Sequence, residues 1–172
     1  MEFIWLDYNA QFAREINDWL IHEETNKFLD IDDWHSAYLN IINGIEFYYL
    51  NDTDREKSYY KLNDDYYCKL VFEKDKLVAI MSIYLNPIDK TIHINPIIVS
   101  PNLQGKGYGT AVIKDFIFNV YNILGENYCS KINITIEKGN QASKACFGKC
   151  GFLYLKDNDD DSDYEIYEYQ IN

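Results

Sequence analysis

Three β-rich runs, Tyr66–Phe72, Leu77–Leu85 and Thr91–Val99, follow one another with only Glu73-Lys74-Asp75-Lys76 and Asn86-Pro87-Ile88-Asp89 between them. Runs rich in Ile, Val and Tyr predict strands, and connections this short predict antiparallel hairpins. A meander is thereby set near the middle of the chain, and the flanking segments must pack onto it. Before it, residues 3–6 form a short apolar run able to open a sheet. Phe12, Ile16, Trp19 and Leu20 within 9–21 fall at helical spacing, as do Tyr38, Leu39, Ile42, Ile45 and Tyr49 within 35–50. Gly44 weakens the second of these helices. Residues 51–65 are polar and read as a loop. After the meander, Ser100-Pro101-Asn102 stops the third strand and glycines cluster at 105, 107 and 109. Val112, Ile113, Phe116, Ile117, Val120 and Leu124 predict a helix over 109–124, and Lys-Ile-Asn-Ile-Thr-Ile at 131–136 alternates as a strand does. Asn140 opens a helix to about Cys150, with Gly151 as its C-terminal cap. Phe152–Leu155 and Tyr164–Ile171 read as the last strands, on either side of an acidic loop over 156–163. No repeat or linker interrupts this order. The expected fold is a single α+β domain over residues 1–172, with mixed strand pairing.

The formal charge is −12. Binding to phosphate backbones needs basic surface, so nucleic acid is not the expected partner. An acidic cleft concentrates cations, which leaves amines as ligands, and the same charge serves plain solubility equally well. Hydrophobic residues make up 47 % of the chain, enough for a packed core and too many for wholesale disorder. No segment has the length of an apolar membrane span, and residues 1–7 lack the basic and long apolar regions of a signal peptide. The expected location is the cytoplasm, with no membrane partner. Cys146 and Cys150 stand four apart, yet no Cys-x-x-Cys pair or spaced histidine pair completes a metal site. Buried free thiols, and no metal, are the expectation for the four cysteines.

The glycine cluster, Gln104-Gly105-Lys106-Gly107-Tyr108-Gly109-Thr110, joins a strand to a helix. Glycines let the backbone turn sharply and bring N–H groups close to a ligand. The helix that follows offers unpaired N–H groups and a positive dipole end, which suits a phosphate or pyrophosphate. A tight strand-to-helix turn explains the glycine spacing equally well. The Gly-x₄-Gly-Lys-Ser/Thr nucleotide loop does not occur here. The Gly-x-Gly-x-x-Gly dinucleotide fingerprint does not fit either, because the spacing is Gly-x-Gly-x-Gly after an antiparallel meander.

The loop does resemble the acetyl-CoA loop of the GCN5-related N-acetyltransferases, whose pattern is Gln/Arg-x-x-Gly-x-Gly/Ala after a strand. Gln104, Gly107 and Gly109 occupy its defined positions. A second motif of that family, an Asn followed by a small-residue helix and Gly-Phe, is matched by Asn140, Ser143, Gly151 and Phe152, with Phe147 at the position where many members carry Tyr. The order of elements resembles the family over essentially the whole chain. The resemblance implies a central, mostly antiparallel sheet flanked by helices, which splays open beside the glycine loop to take acetyl-CoA as cosubstrate.

It further implies that the N–H groups of Gln104, Gly105, Lys106, Gly107, Tyr108, Gly109 and Thr110 hold the pyrophosphate. The pantetheine arm is expected along the third strand of the meander, with the N–H of Ile98 or Val99 polarising the thioester carbonyl. Asn140 is expected at the cofactor, a role that leaves room for its N-cap role, and Phe147 lies in the cofactor set. His93 falls where histone-acetylating members carry a catalytic glutamate. A histidine titrates near neutral pH and suits a general base, while a histidine packed in a strand is the alternative. Asn95 shares its strand face and would orient an amine or a water. Phe147 departs from the family, because it cannot protonate the departing CoA thiolate. A thiol pKa of about 8.5 makes that thiolate a tolerable leaving group. Cys146, Tyr108 and Tyr154 are other acid candidates, none singled out by the sequence.

The acceptor groove implied by the resemblance is built from the first helices and last strands. In this chain those carry Glu23, Glu24, Asp30, Asp32, Asp33, Trp34, Tyr38 and the 157–163 loop, which suit a cation. The expected activity is acetyl transfer from acetyl-CoA to a small cationic amine by direct attack in a ternary complex. A protein or peptide amine, and a non-catalytic acyl-CoA-binding module, are the alternatives. The resemblance also allows a homodimer.

Overall fold

The two short connections of the meander do close hairpins. The structure, a computed structural model, describes residues 1–29, 31–42, 66–86, 88–125 and 129–171. Strands β2 (Tyr66–Glu73), β3 (Lys76–Asn86) and β4 (Thr91–Val99) pair antiparallel in sequence. The first turn needs only two residues, Lys74 and Asp75, with Lys74 in the left-handed region at φ 55°. Edge strand β1 (Ile4–Asp7) joins antiparallel to β2. Beyond β4 come β5 (Lys131–Glu137), β6 (Leu153–Asp157) and β7 (Tyr164–Gln170). The sheet order is β1-β2-β3-β4-β5-β7-β6, and β4 with β5 is its parallel pair. The α+β expectation with mixed pairing holds.

Helices cover both faces. α1 (Ala13–Leu20), α2 (Glu23–Asn26) and α3 (Trp34–Ile42) precede the meander; α4 (Tyr108–Leu124) and α5 (Gln141–Lys149) follow it. α1 buries Ile16, Trp19 and Leu20, spaced i, i+3, i+4, against Leu70, Ile80 and Ile98 of the sheet. α4 turns Val112, Ile113, Phe116, Val120 and Leu124 onto the opposite face, where Met81, Ile83, Ile92 and Ile132 meet them. Removing each such side chain from water contributes roughly 1.5–3 kcal/mol.

The ends of elements differ from expectation in instructive ways. The segment expected as one helix over 9–21 is a 3₁₀ turn at Ala10–Phe12, capped by the Asn9 side chain, and then α1. β6 runs on through Lys156 and Asp157, which were expected in the acidic loop. The Asp157 carboxylate accepts from Lys138 Nζ (3.0 Å) and from the Tyr154 hydroxyl (2.9 Å), and so favours continued pairing with β7. The expected helix over 35–50 is described as α3 through Ile42. Its continuation through Gly44, Ile45 and Tyr49, the loop at 51–65, and Asp30 lie outside the described residues.

Candidate active site

β4 and β5 begin side by side and then part. Thr91–Ile94 pairs with Lys131–Ile134 and the pairing stops there, although β4 continues to Val99 and β5 to Glu137. Val99 lies five residues past Ile94, roughly 16 Å along an extended strand. That length of β4 edge faces a wedge rather than a neighbour, comparable in length to an extended pantetheine arm.

A bulge in β4 sits at the vertex of this wedge. Ile83 pairs with Ile94 and Met81 with Ile97, so Asn95 and Pro96 together oppose Ser82. The extra residue inverts the alternation: Ile92 and Ile94 before it, and Ile97 and Val99 after it, all pack on the α4 side of the sheet. It also sets which amides face the wedge. Ser100 N–H donates to the Val78 carbonyl opposite it (2.9 Å). Alternation then makes Ile98 a hydrogen-bonded partner of Ile80, while Ile97 and Val99 direct their main-chain groups away from β3. Of the two expected carbonyl donors, Val99 faces the wedge. Ile98 does not, and Ile97, which the sequence reading missed, does.

The glycine loop closes the wide end of the wedge. Gly105 and Gly107 adopt φ of 70° and 87°, a region that favours glycine, and Gly107 caps α4. The loop uses some of its own amides, since Gln104 N–H donates to Pro101 and Lys106 N–H to Leu103, each at 3.3 Å. Among the described residues the amides of Gly105, Gly107, Tyr108, Gly109 and Thr110 have no protein acceptor. The expectation of a donor set running over all of 104–110 therefore narrows to those five, at the positive end of a seventeen-residue helix. Lys106 Nζ folds back to the Asn102 carbonyl (2.8 Å). The Gln104 side chain donates to the Val99 carbonyl (3.0 Å) and to Thr25 Oγ1 (2.9 Å), tying loop, strand edge and α2 together.

α5 backs the loop. A Cβ on Gly109 would lie 3.2 Å from Cys146 Sγ and 3.7 Å from Val99 Cγ2, so a side chain there would press on the sulfur and require it to shift. Cys146 Sγ lies 3.4 Å from Thr110 Oγ1, and Cys150 Sγ reaches the Thr110 carbonyl at 3.5 Å. Burial pushes the Cys150 thiol up to about 11. All four cysteines are free thiols; Cys68, Cys129 and Cys150 are buried and Cys146 partly so. Asn140 Oδ1 accepts from Ser143 N–H (3.0 Å), the N-cap of α5. Phe147 is 1 % exposed and meets Phe152 edge-on at 5.0 Å. Its ring fills core, which accounts for phenylalanine there without a ligand.

His93 stands on the other face of β4, one residue before the strands part. It is half-buried, opposite Tyr84 of β3 in register, with ring centroids 5.9 Å apart. Burial lowers its pKa below the ordinary histidine value; the Asp89 charge opposes this and the Lys131 charge adds to it. The imidazole is neutral at pH 7 and able to accept a proton. Asn95 is exposed, within the bulge.

Other expected groups are engaged elsewhere. The Tyr108 hydroxyl donates to Glu73 (2.7 Å), a bond that raises its pKa, and the Tyr154 hydroxyl donates to Asp157. Asp33 caps α3 by accepting from Ser36 N–H (2.7 Å) and also takes a bond from Asn17; the Ser36 hydrogen bonds, helped by that of Asn17, hold its carboxyl below the usual range. Trp34, expected in the acceptor groove, is 2 % exposed and belongs to the core beneath α3. Glu23, Glu24 and Asp32 are solvated, and Tyr38 is half-buried. Among the described residues no cluster of His, Cys, Asp and Glu has metal-binding geometry, and no helix is long and apolar enough to cross a membrane.

The family model described as Acetyltransferase (GNAT) family matches residues 28–152. No curated protein matches the sequence. Among solved structures, the chain is similar to the spermidine N-acetyltransferase of Vibrio cholerae, in complex with CoA and spermine. The TM-score is 0.69 at 15 % identity, covering 98 % of this chain and 95 % of that one. It is also similar to the aminoglycoside acetyltransferase AAC(6')-Ib in complex with coenzyme A, with TM-score 0.73, 10 % identity and the same coverages. A domain from Methanocaldococcus jannaschii gives 0.66 at 15 % identity, covering 98 % of each chain. At these identities the likeness is one of fold.

Proposed function

Because the chain belongs to the GNAT family of acetyl-CoA-dependent acetyltransferases, we propose that it acetylates a small cationic amine held on the His93 face of the sheet. The observation that carries this reading is the wedge: an unpaired strand edge, a glycine loop with free amides at one end, and a neutral imidazole at the other. These parts fit acetyl-CoA. Gly105, Gly107, Tyr108, Gly109 and Thr110 offer five amides to a pyrophosphate, and Gly109 lets the loop seat closely against Cys146 of α5. Ile97 and Val99 offer strand hydrogen bonds to the amides of the arm. The cosubstrate supplies an acetyl group activated as a thioester.

The remaining steps belong to the protein. An amine attacks only when neutral, and at pH 7 most primary amines are protonated. The His93 imidazole takes that proton, directly or through a water that Asn95 orients. An amide of Ile97 or Val99 polarises the carbonyl under attack. Phe147 donates no proton, so the thiolate leaves unaided, at a rate cost of about 10²–10⁴ against a positioned acid. No covalent enzyme intermediate is part of the scheme. Asn140 keeps its cap role and lies on the element that backs the loop.

Neighbours in fold include enzymes named for spermidine and for aminoglycosides, which supports the amine class and leaves the acceptor open between them. The test is CoA thiol release with a panel of amines beside CoA binding by calorimetry. Release with any small amine supports the reading. Tight CoA binding without release over the panel favours the binding-module reading, which Phe147 encourages. Peptide amines acetylated in preference to small ones would move the acceptor class. A homodimer belongs to the proposal as well: edge strand β6 exposes Leu153, Tyr154 and Leu155, and sedimentation checks it.

A further inference from the structure

The face of the sheet that carries His93 changes character along its length. Around Leu70, Ile80 and Ile98, neighbours across β2, β3 and β4, it is aliphatic and fully buried beneath α1. Four residues earlier on β2 and their cross-strand partners, the same face presents Tyr66, Tyr84 and His93 instead, all half-buried. Rings continue from there toward the helices. Tyr66 lies 6.4 Å from Tyr38 of α3, and Tyr38 lies 4.5 Å from Tyr8, which follows β1. His35 completes the group, 6.5 Å from Tyr38 and with Nδ1 3.2 Å from the Tyr8 hydroxyl.

Five separate segments thus bring aromatic rings together: contacts of 4.5 and 6.4 Å link Tyr8, Tyr38 and Tyr66, strand register sets Tyr66 beside Tyr84, and a contact of 5.9 Å links Tyr84 to His93. The Tyr66 hydroxyl donates to Ser82 (2.9 Å) and that of Tyr8 bonds His35. Charge follows the same line. The field of Asp33 acts on Tyr8, that of Asp7 on Tyr38 and that of Asp89 on His93. Lys69 pairs with Asp7 (2.7 Å) and offsets its charge, which leaves Asp33 and Asp89 as the carboxylates along the row, and Lys131 pairs with Glu168 (3.6 Å). A core boundary needs only apolar bulk, whereas flat π-faces backed by carboxylates attract cations.

We infer that the row Tyr8, Tyr38, Tyr66 and Tyr84 is an acceptor track for a linear oligoamine, whose remote ammonium groups rest on successive rings while its terminal amine reaches His93. This rests on the reading that an amine is the acceptor. The rings are spread from α3 across β2 and β3 to His93, an elongated arrangement that suits an extended alkyl chain with ammonium groups a few methylenes apart better than a compact cyclic polycation. Each ring engaged raises affinity by about two- to five-fold.

Calorimetry of the CoA-loaded protein with butylamine, putrescine, spermidine and spermine, at one ionic strength, tests the assignment. Affinity is expected to rise at each added ammonium. Tyr38→Leu should weaken spermine three- to ten-fold and leave butylamine unchanged, with Tyr38→Phe behaving as the parent, while Tyr84→Leu, beside His93, should weaken spermine by a similar factor. Neither Leu variant alters the net charge, so such a loss distinguishes ring contact from general attraction to an acidic protein. Equal affinity across the series, spermine binding unchanged in both Leu variants, or a cyclic aminosugar such as kanamycin bound more tightly than spermine would overturn the track. Thiol release in the same samples separates the two readings. Binding that follows the series without release counts against acetyl transfer and for the track. Release from amines with no dependence on length counts the other way.

Discussion

Gly109 and Cys146 meet where α4 begins and α5 passes behind it: only a hydrogen on the Gly109 α-carbon keeps the sulfur at an ordinary distance. Gly109→Ala is therefore expected to lower stability by about 1–3 kcal/mol and to weaken CoA binding, as the loop is pushed off its seat. Cys146→Ala in the same chain should recover most of both losses. Denaturant unfolding of the two single variants and the double variant measures the coupling. Strictly additive losses would show that the contact does not matter.

Gly107 fails differently when replaced. A Cβ there meets nothing within 4 Å, but φ is 87°. Gly107→Ala is expected to cost about 1–2 kcal/mol through backbone strain alone. Gly107→Glu should lower CoA affinity at least ten-fold further, because it brings a carboxylate to the free amides. Calorimetric titration compares the two, and equal affinities would remove the pyrophosphate from this loop.

His93→Ala is expected to lower kcat by about 10²–10⁴ and leave CoA affinity unchanged. Burial holds the imidazole below the ordinary histidine pKa, so the ring is already neutral at pH 7. The rate should fall only as the pH drops through a value below about 6.5, and that fall should vanish in the variant. Asp89→Asn removes a charge that raises this pKa, and should move the acid limb lower still. A pH profile unaltered by His93→Ala would strike the residue from the mechanism.

Phe147→Tyr places a hydroxyl in a site that is 1 % exposed and walled by Phe152. A buried hydroxyl without a partner costs about 1–3 kcal/mol, so Tm should drop. A rise in kcat with Tm preserved would instead put the ring edge at the cleft, where the hydroxyl could serve the departing thiolate.

The parts of this molecule that were legible in the sequence are those set by local rules. Gly105 and Gly107 mark left-handed turns, Asn140 caps α5, and Ile16, Trp19 and Leu20 show their helical face by spacing alone. The parts that were not legible depend on register. Nothing in Thr91–Val99 shows that Asn95 and Pro96 share one partner, and that detail decides whether Ile97 or Ile98 offers its amide to the wedge. Tyr66, Tyr84 and His93 are far apart in sequence and become a row only when β2, β3 and β4 align. Trp34 and Asp33 looked like groove residues because aromatic and acidic groups suit a cation. The tertiary contacts make one a core residue and the other a helix cap.

The bulge in β4 has an evolutionary consequence. It sets the two halves of one strand out of phase, so that under the proposed function the downstream half borders the acyl donor and the upstream half faces the amine. Loss of one residue there would turn Ile97 and Val99 away from their packing and rotate the cofactor edge against the acceptor side. An insertion or deletion in this strand would therefore be costly, whereas half-buried positions of the neighbouring strands, such as 66 and 84, can change without shifting its phase. Descendants of this chain could change which amine they accept by point substitution at positions such as 66 and 84, without relearning how to hold the acyl donor.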